Sequence, residues 1–263
     1  MHKYWVLFRT KLDEYIAFRL NFLMWRMRNI FNLVLLYYLW ESVLRNTVSI
    51  QGYTTNTIFT YIFLANIIAA VVLSSKTDQV AGDILNGTII NQILKPMHFF
   101  SFIASKEVAD KLINLIFAVA EVALFLVILG PPIFIQTDPA VIAIVVSTII
   151  LSIVLSFLIS LSLSFIAFWS TDIWAPRFIF FVLISLLAGT MFPLDILPQP
   201  ILQAVLLTPF PYLVYLPTKL YLFGITPELP FYGAVMSSWI VIMATICFAV
   251  WRKGMREFSF FGR

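Results

Sequence analysis

A chain of 263 residues that is 61% hydrophobic and only 11% charged holds more apolar side chain than a soluble core of its size can bury, which excludes an ordinary soluble domain. Its formal net charge of +4 comes from 17 Lys and Arg spread in short clusters, a pattern explained by membrane topology rather than by nucleic-acid binding. A single cysteine, Cys247, excludes a disulfide framework and a cysteine-based metal centre.

In chain order, residues 4–24 interleave Trp5, Leu7, Phe8, Leu12 and Ile16 with Arg9, Lys11 and Arg19, which predicts a helix over 1–25 lying in a membrane interface. A plain cytoplasmic extension is the alternative. Residues 1–28 are too charged to hold the apolar stretch of a cleavable signal peptide. A spanning helix needs roughly 20 mostly apolar residues, and six runs qualify as candidates: 30–44, 57–74, 112–130, 140–169, 174–192 and 232–251. The third is closed by Pro131-Pro132 and the fifth by Pro193, neither of which continues a helix. The fourth has no charged residue over its full length and exceeds one perpendicular crossing, so it tilts or projects.

With the N-terminus inside, every Lys and Arg except Arg45 and Lys219 falls on the inner side. Both termini, including the basic tail 252–263, are therefore expected in the cytoplasm, in a membrane of the bacterial inner type.

Between the second and third spans, residues 75–98 place Val80, Ile84, Ile90, Ile93 and Leu94 among Asp78, Asp83, Asn86 and Asn91 at helical spacing, with Pro96 as the stop. The prediction is an amphipathic cytoplasmic helix whose surface meets a partner. Resting on lipid headgroups is the alternative, against which Asp78 and Asp83 would be repelled by an anionic leaflet. Residues 193–230 hold eight of the 13 prolines around apolar pieces too short to cross, which predicts a re-entrant hairpin on the outer side.

Chemistry is sparse. No glycine precedes a lysine, so the phosphate loop GxxxxGK[ST] is missing and this chain is not expected to bind ATP itself. His2 and His98 are the only histidines, and no metalloprotease signature is present. Glu121 is the one acid well within a predicted span. Such a group faces the bundle interior or a wet cavity; a polar pathway residue and a hydrogen bond to a neighbouring span are the two readings, and the lack of a second buried charge favours the latter. Thr148, Ser152, Ser156, Ser160 and Ser164 recur every four residues, a ridge that suits close helix packing more than substrate lining.

The arrangement of an amphipathic N-terminal helix, six spans, a cytoplasmic helix after the second and a proline-broken hairpin before the last resembles the ATP-binding-cassette type 2 permeases. Asp83 to Thr88, running on to Leu94-Lys95-Pro96, is similar to that family's pattern of an acid, a glycine and a closing basic-proline pair. Phe192-Pro193-Leu194, Leu197-Pro198, Thr208-Pro209-Phe210 and Leu216-Pro217 look like its broken hairpin, and Trp251-Arg252-Lys253-Gly254 like the start of its basic tail. The resemblance implies an all-α polytopic membrane protein, a single permease domain over 1–263, acting as a subunit of an exporter and not as an enzyme. It implies a second permease copy or a paralogue, and separate ATPase subunits that carry ATP and magnesium. Asp78, Val80, Asp83, Ile84, Gly87 and Thr88 would form the coupling helix that contacts the ATPase, and Pro193, Pro198, Pro209 and Phe210 an extracellular lid. Substrate would pass between permeases along the first, second and fifth spans. A partner-free channel or structural membrane protein is the rival reading; an intramembrane enzyme using Glu121 lacks a second catalytic group.

Overall fold

The computed structural model describes residues 19–45, 49–94 and 98–258, so most of the expected interfacial helix, Lys95-Pro96 and the last five residues of the tail lie outside the described residues. Helix α1 (Arg19–Leu44) runs unbroken through the predicted boundary between interfacial helix and first span, because no proline or glycine interrupts those 26 residues. A ribbon of two short antiparallel strands, β1 (Ser49–Ile50) and β2 (Tyr53–Thr54), pairs Ser49 with Thr54 and Ile50 with Tyr53. It is a departure from an all-helical reading, and strands of two residues are too short to announce themselves by alternation.

Helix α2 (Thr55–Val72) begins on a capping box at Thr54 and Thr57, and leads through residues 73–76 into the short α3 (Thr77–Leu85) and α4 (Ile90–Ile93). Helix α5 (Phe99–Leu129) returns for 31 residues, starting well before the span expected at 112. Helix α6 (Pro139–Phe165) opens with proline in its first turn and with the Asp138 carboxylate accepting the Ala140 N–H at 2.8 Å. A 3₁₀ turn (Ile166–Phe168) and α7 (Trp174–Leu187) follow. The proline-rich stretch forms a 3₁₀ turn (Leu194–Ile196), α8 (Gln199–Leu206), a second 3₁₀ turn (Phe210–Tyr212) and α9 (Tyr215–Phe223), before α10 (Leu229–Glu257).

Among the described residues, four helical segments are long and apolar enough to cross a membrane: Thr55–Leu85, which begins with α2, and those of α5, α6 and α10. Helix α1 has the length, about 39 Å at 1.5 Å per residue, but carries Arg26, Arg28 and Glu41. Helix α7 is apolar yet has 14 residues, about 21 Å, short of the roughly 30 Å of hydrocarbon. The chain is thus a helical multi-pass membrane protein, with the first and fifth expected crossings not met by a helix that is both long and apolar.

The proline-broken segment lies only partly on the surface, where Ile201 and Leu207 are exposed. Tyr212, Leu213, Val214 and Tyr215 are fully buried, and the Ser152 hydroxyl, at the midpoint of α6, donates to the Tyr212 carbonyl at 2.6 Å. The hairpin therefore dips halfway into the bundle, and its freed backbone groups find partners in protein, as any irregular backbone at that depth must. The return point is fixed by Gly189, whose φ is +73°. A Cβ there would sit 2.6 Å from the Tyr61 hydroxyl oxygen and 2.8 Å from Tyr215 Cβ, and the Tyr61 hydroxyl donates to the Gly189 carbonyl at 2.6 Å. Gly189→Ala is expected to lose about 3 kcal/mol from left-handed strain and overpacking together. Thermal unfolding in detergent checks this, and an alanine variant as stable as the parent would refute the contact.

Candidate functional site

At the end of the bundle where α2 gives way to α3, the amphipathic pattern of residues 77–94 is resolved into two faces. Val80, Ala81 and Ile84 turn inward and pack with Phe102 and Ile103 of α5 and Leu161 and Phe165 of α6. Phe99 and Trp251, stacked at 4.3 Å, extend that cluster to α10. This corrects the expectation that Val80 and Ile84 face a partner: the inner ends of α5 and α6 extend far enough to cover them, so the apolar stripe belongs to the chain's own core. Asp78, Gln79, Leu85, Asn86 and Thr88 form the exposed face.

Asp83 shapes the turn rather than the surface. Its carboxylate accepts the Thr88 hydroxyl at 2.8 Å and the Gln92 side-chain amide, while its carbonyl accepts the Ile89 N–H at 3.0 Å. Gly87 has φ +72° with open space around it, so only its backbone conformation demands glycine. Together they fold α4 back beneath α3.

Behind this surface, one face of α5 carries Glu107, Asp110, Lys111, Asn114 and Glu121. The Lys111 ammonium lies 3.3 Å from Glu107, and Asp110 lies 3.4 Å from Lys76 at the start of α3. Asn114 donates to Asp110 at 3.1 Å and accepts from the Arg26 guanidinium. Glu121 pairs with Arg26 at 3.3 Å, both side chains being nearly buried. Glu121 therefore does have a buried partner charge, Arg26, contrary to the expectation that none is present. A helical spacing of 107, 111, 114 and 121 in an otherwise apolar helix was the available signal.

The hydroxyl ridge of α6 is used for packing along its length. Beyond Ser152, the Ser164 hydroxyl donates to the Thr77 carbonyl at 2.7 Å, the Thr77 hydroxyl to the Ser160 carbonyl at 3.2 Å, and Arg177 of α7 to Ser164 at 2.8 Å.

At the opposite end, the residues assigned to a lid are not gathered at one surface. Pro193 and Pro209 are buried, Pro198 is the exposed residue preceding α8, and Phe210 packs beside Phe180 of α7 at 6.0 Å between ring centroids. The group that organises this end is Asp195, which the sequence reading passed over. It accepts the Tyr53 hydroxyl at 2.7 Å, the Tyr215 hydroxyl at 2.6 Å and the Lys219 ammonium at 2.7 Å. Burial first, and the Asp195 charge second, push the Tyr53 phenol upward, so it remains a neutral donor. The Trp40 indole adds a bond to the Met191 carbonyl at 3.2 Å, tying α1 to the same region.

The sequence finds no match among curated proteins. The family model described as "ABC-2 family transporter protein" matches residues 30–262, spanning α1 to the tail. With four membrane-length helices among the described residues, a proline-broken hairpin seated among them and a short helix between the second and third expected spans, the chain belongs to the ABC-2 transporter family, as a multi-pass membrane component.

Proposed function

We propose that this protein is the membrane-spanning subunit of an ATP-driven exporter, forming a pathway with a second copy or a paralogue and taking its energy from separate ATPase subunits that bind ATP and magnesium. The observation that carries the reading is α3: its apolar face is locked to α5, α6 and the end of α10, while its other face is exposed and polar around Leu85. A helix rigidly backed by three long helices delivers an applied displacement to all of them. Family membership supports a partner of this kind, since such membrane subunits generally work with ATP-binding subunits. In this reading the chain crosses six times: α1 spans with Arg26 neutralised by Glu121, and α7 completes its crossing through the residues that lead into the hairpin. Both termini and α3 lie on the cytoplasmic side of a bacterial-type inner membrane, as the distribution of Lys and Arg favours. Pro193, Pro198, Pro209 and Phe210 belong to the outer closure.

The contact set follows the exposed face: Asp78, Gln79, Leu85, Asn86, Gly87 and Thr88, with Asp83 holding the turn. Leu85, 41% exposed among polar neighbours, is the apolar anchor. Leu85→Arg is expected to cost about 2 kcal/mol of docking energy, roughly a 30-fold loss of affinity, with membrane insertion unchanged. The check is purification in mild detergent with quantification of co-eluting ATPase and of ATP hydrolysis. Unchanged ATPase stoichiometry in the variant would remove α3 as the docking element. A parent chain that elutes alone from gently treated membranes would favour a partner-free channel or scaffold.

A further inference from the structure

Lys111 is a buried ammonium, 4% exposed, on a helix that continues into the apolar bundle. A charge in that setting persists only where it is matched. Its Nζ donates to the main-chain carbonyls of Val71 at 2.9 Å, Val72 at 3.1 Å and Ser74 at 2.6 Å, and lies 3.3 Å from the Glu107 carboxylate. Val71 and Val72 close α2 and Ser74 lies just beyond it; the carbonyls of a last turn lack helical partners and the helix dipole favours a cation there, although Val71 also accepts the Ser74 hydroxyl at 3.1 Å. Three donors converge on three carbonyls of one turn, a match for a compact ammonium rather than a planar guanidinium.

The place matters because of what it joins. Residues 73–76, Leu-Ser-Ser-Lys, connect α2 to α3 and contain neither proline nor glycine to set an angle. Local bonds from the Ser74 hydroxyl to the Val71 carbonyl at 3.1 Å and from the Thr77 N–H to the Ser75 hydroxyl at 3.3 Å shape it from within, and further contacts hold it from outside. On the α2 side the contacts come from Lys111; on the α3 side Asp110 meets Lys76 at 3.4 Å, and Thr77 is bonded to Ser160 and Ser164 of α6. Adjacent residues of α5, one acidic and one basic, thus grip the two arms of the elbow.

We propose that Lys111 is a positioning residue: by capping the end of α2 from α5, it makes the α2–α3 elbow rigid, so that displacement of α3 moves α2 and α5 as one body instead of being absorbed in residues 73–76. The rigidity concerns this chain alone; its use in transport rests on ATPase docking at α3 as proposed above.

Lys111→Met alone would strand Glu107, so the informative variant is Lys111→Met with Glu107→Leu, which removes the cap without leaving an unpaired charge. In a Cys247→Ser background, spin labels at Asn56, exposed at the far end of α2, and Gln79, exposed on α3, report the elbow by their distance distribution. The expected result is a narrow distribution in the parent and one about twofold wider in the double variant at comparable thermal stability, as for a junction that has lost its local restraints. An unchanged width in a folded double variant would overturn the proposal.

A second arm uses the complex with its ATPase. The double variant is expected to retain ATP hydrolysis while losing the change in thiol reactivity that ATP with vanadate causes at a cysteine placed at Leu207 of the hairpin. A merely structural role would lower yield and activity together and leave that response in place, which would also overturn the proposal. Should the parent chain recruit no ATPase, the docking reading fails, and the distance arm alone decides the elbow.

Discussion

Asp195→Ala should be among the most damaging single substitutions in the protein, at about 4 kcal/mol, because hydrogen bonds to a charged group contribute roughly 1.5–3 kcal/mol each and their loss strands buried donors. Two of the three donors, the hydroxyls of Tyr53 and Tyr215, belong to residues that are 1% and 0% exposed. The third, Lys219, has a side chain 19% exposed, so water can take over part of its loss. Asp195→Asn keeps an acceptor oxygen and should cost about half as much. Tyr53→Phe and Tyr215→Phe should each cost about 1–2 kcal/mol and combine non-additively, since both bonds end on one carboxylate. Unfolding in detergent across these four variants is the measurement. Equal stability of the alanine and asparagine variants would show that the carboxylate does not organise this end. The ribbon, the hairpin and α9 all converge on this carboxylate, so the loss should appear first as protease sensitivity around residues 49–54 and 188–197.

Glu121→Leu should be comparably severe, about 3–5 kcal/mol, because removing one member of a buried ion pair leaves the other charge without compensation. Arg26 is 6% exposed, with Phe117 beneath its guanidinium at 5.1 Å and Asn114 as a further acceptor. The double variant Arg26→Met with Glu121→Leu should recover most of the loss, since apolar side chains of similar volume replace the pair. A double variant as unstable as the sum of the singles would show that the two charges act independently. The same cycle bears on the intramembrane-enzyme rival: a carboxylate whose removal is repaired by deleting its partner is holding helices together.

Much of the architecture was legible because lipid imposes a strong pattern. The apolar runs at 57–74, 112–130, 140–169 and 232–251 each lie, to within two residues at their ends, in helices long enough to cross, and the ridge from Thr148 to Ser164 reads as packing in sequence and packs in the fold. The failures have distinct causes. Amphipathicity identifies which residues share a face but not what covers it, so the stripe containing Val80 and Ile84 looked like a docking surface when it is core. Charge displaced a boundary: Glu107, Asp110 and Lys111 made residues up to 111 read as an aqueous loop, whereas α5 starts at Phe99 and carries those charges in matched pairs. Helix α7 stops at Leu187 rather than 192 because the left-handed Gly189 turns the chain before Pro193 does. Asp195 was invisible as a hub because its partner Tyr53 lies 142 residues away, and nothing local marks such a pairing.

The hairpin that dips to the level of Ser152 has a consequence for permeation. Tyr212 to Tyr215 occupy the middle of the bundle with no exposed surface, so one copy has side chain where a pipe would have a lumen. Opening that centre would mean withdrawing two tyrosines and their aliphatic neighbours from close packing, several kcal/mol before any solute enters. On the exporter proposed above, with a second copy or a paralogue beside this chain, a solute would travel along the flank of the molecule. Each chain would then be one stave of a vessel whose bore exists only where staves meet, and the size and polarity of the cargo would be set by outward-facing side chains, which can change without disturbing the fold behind them.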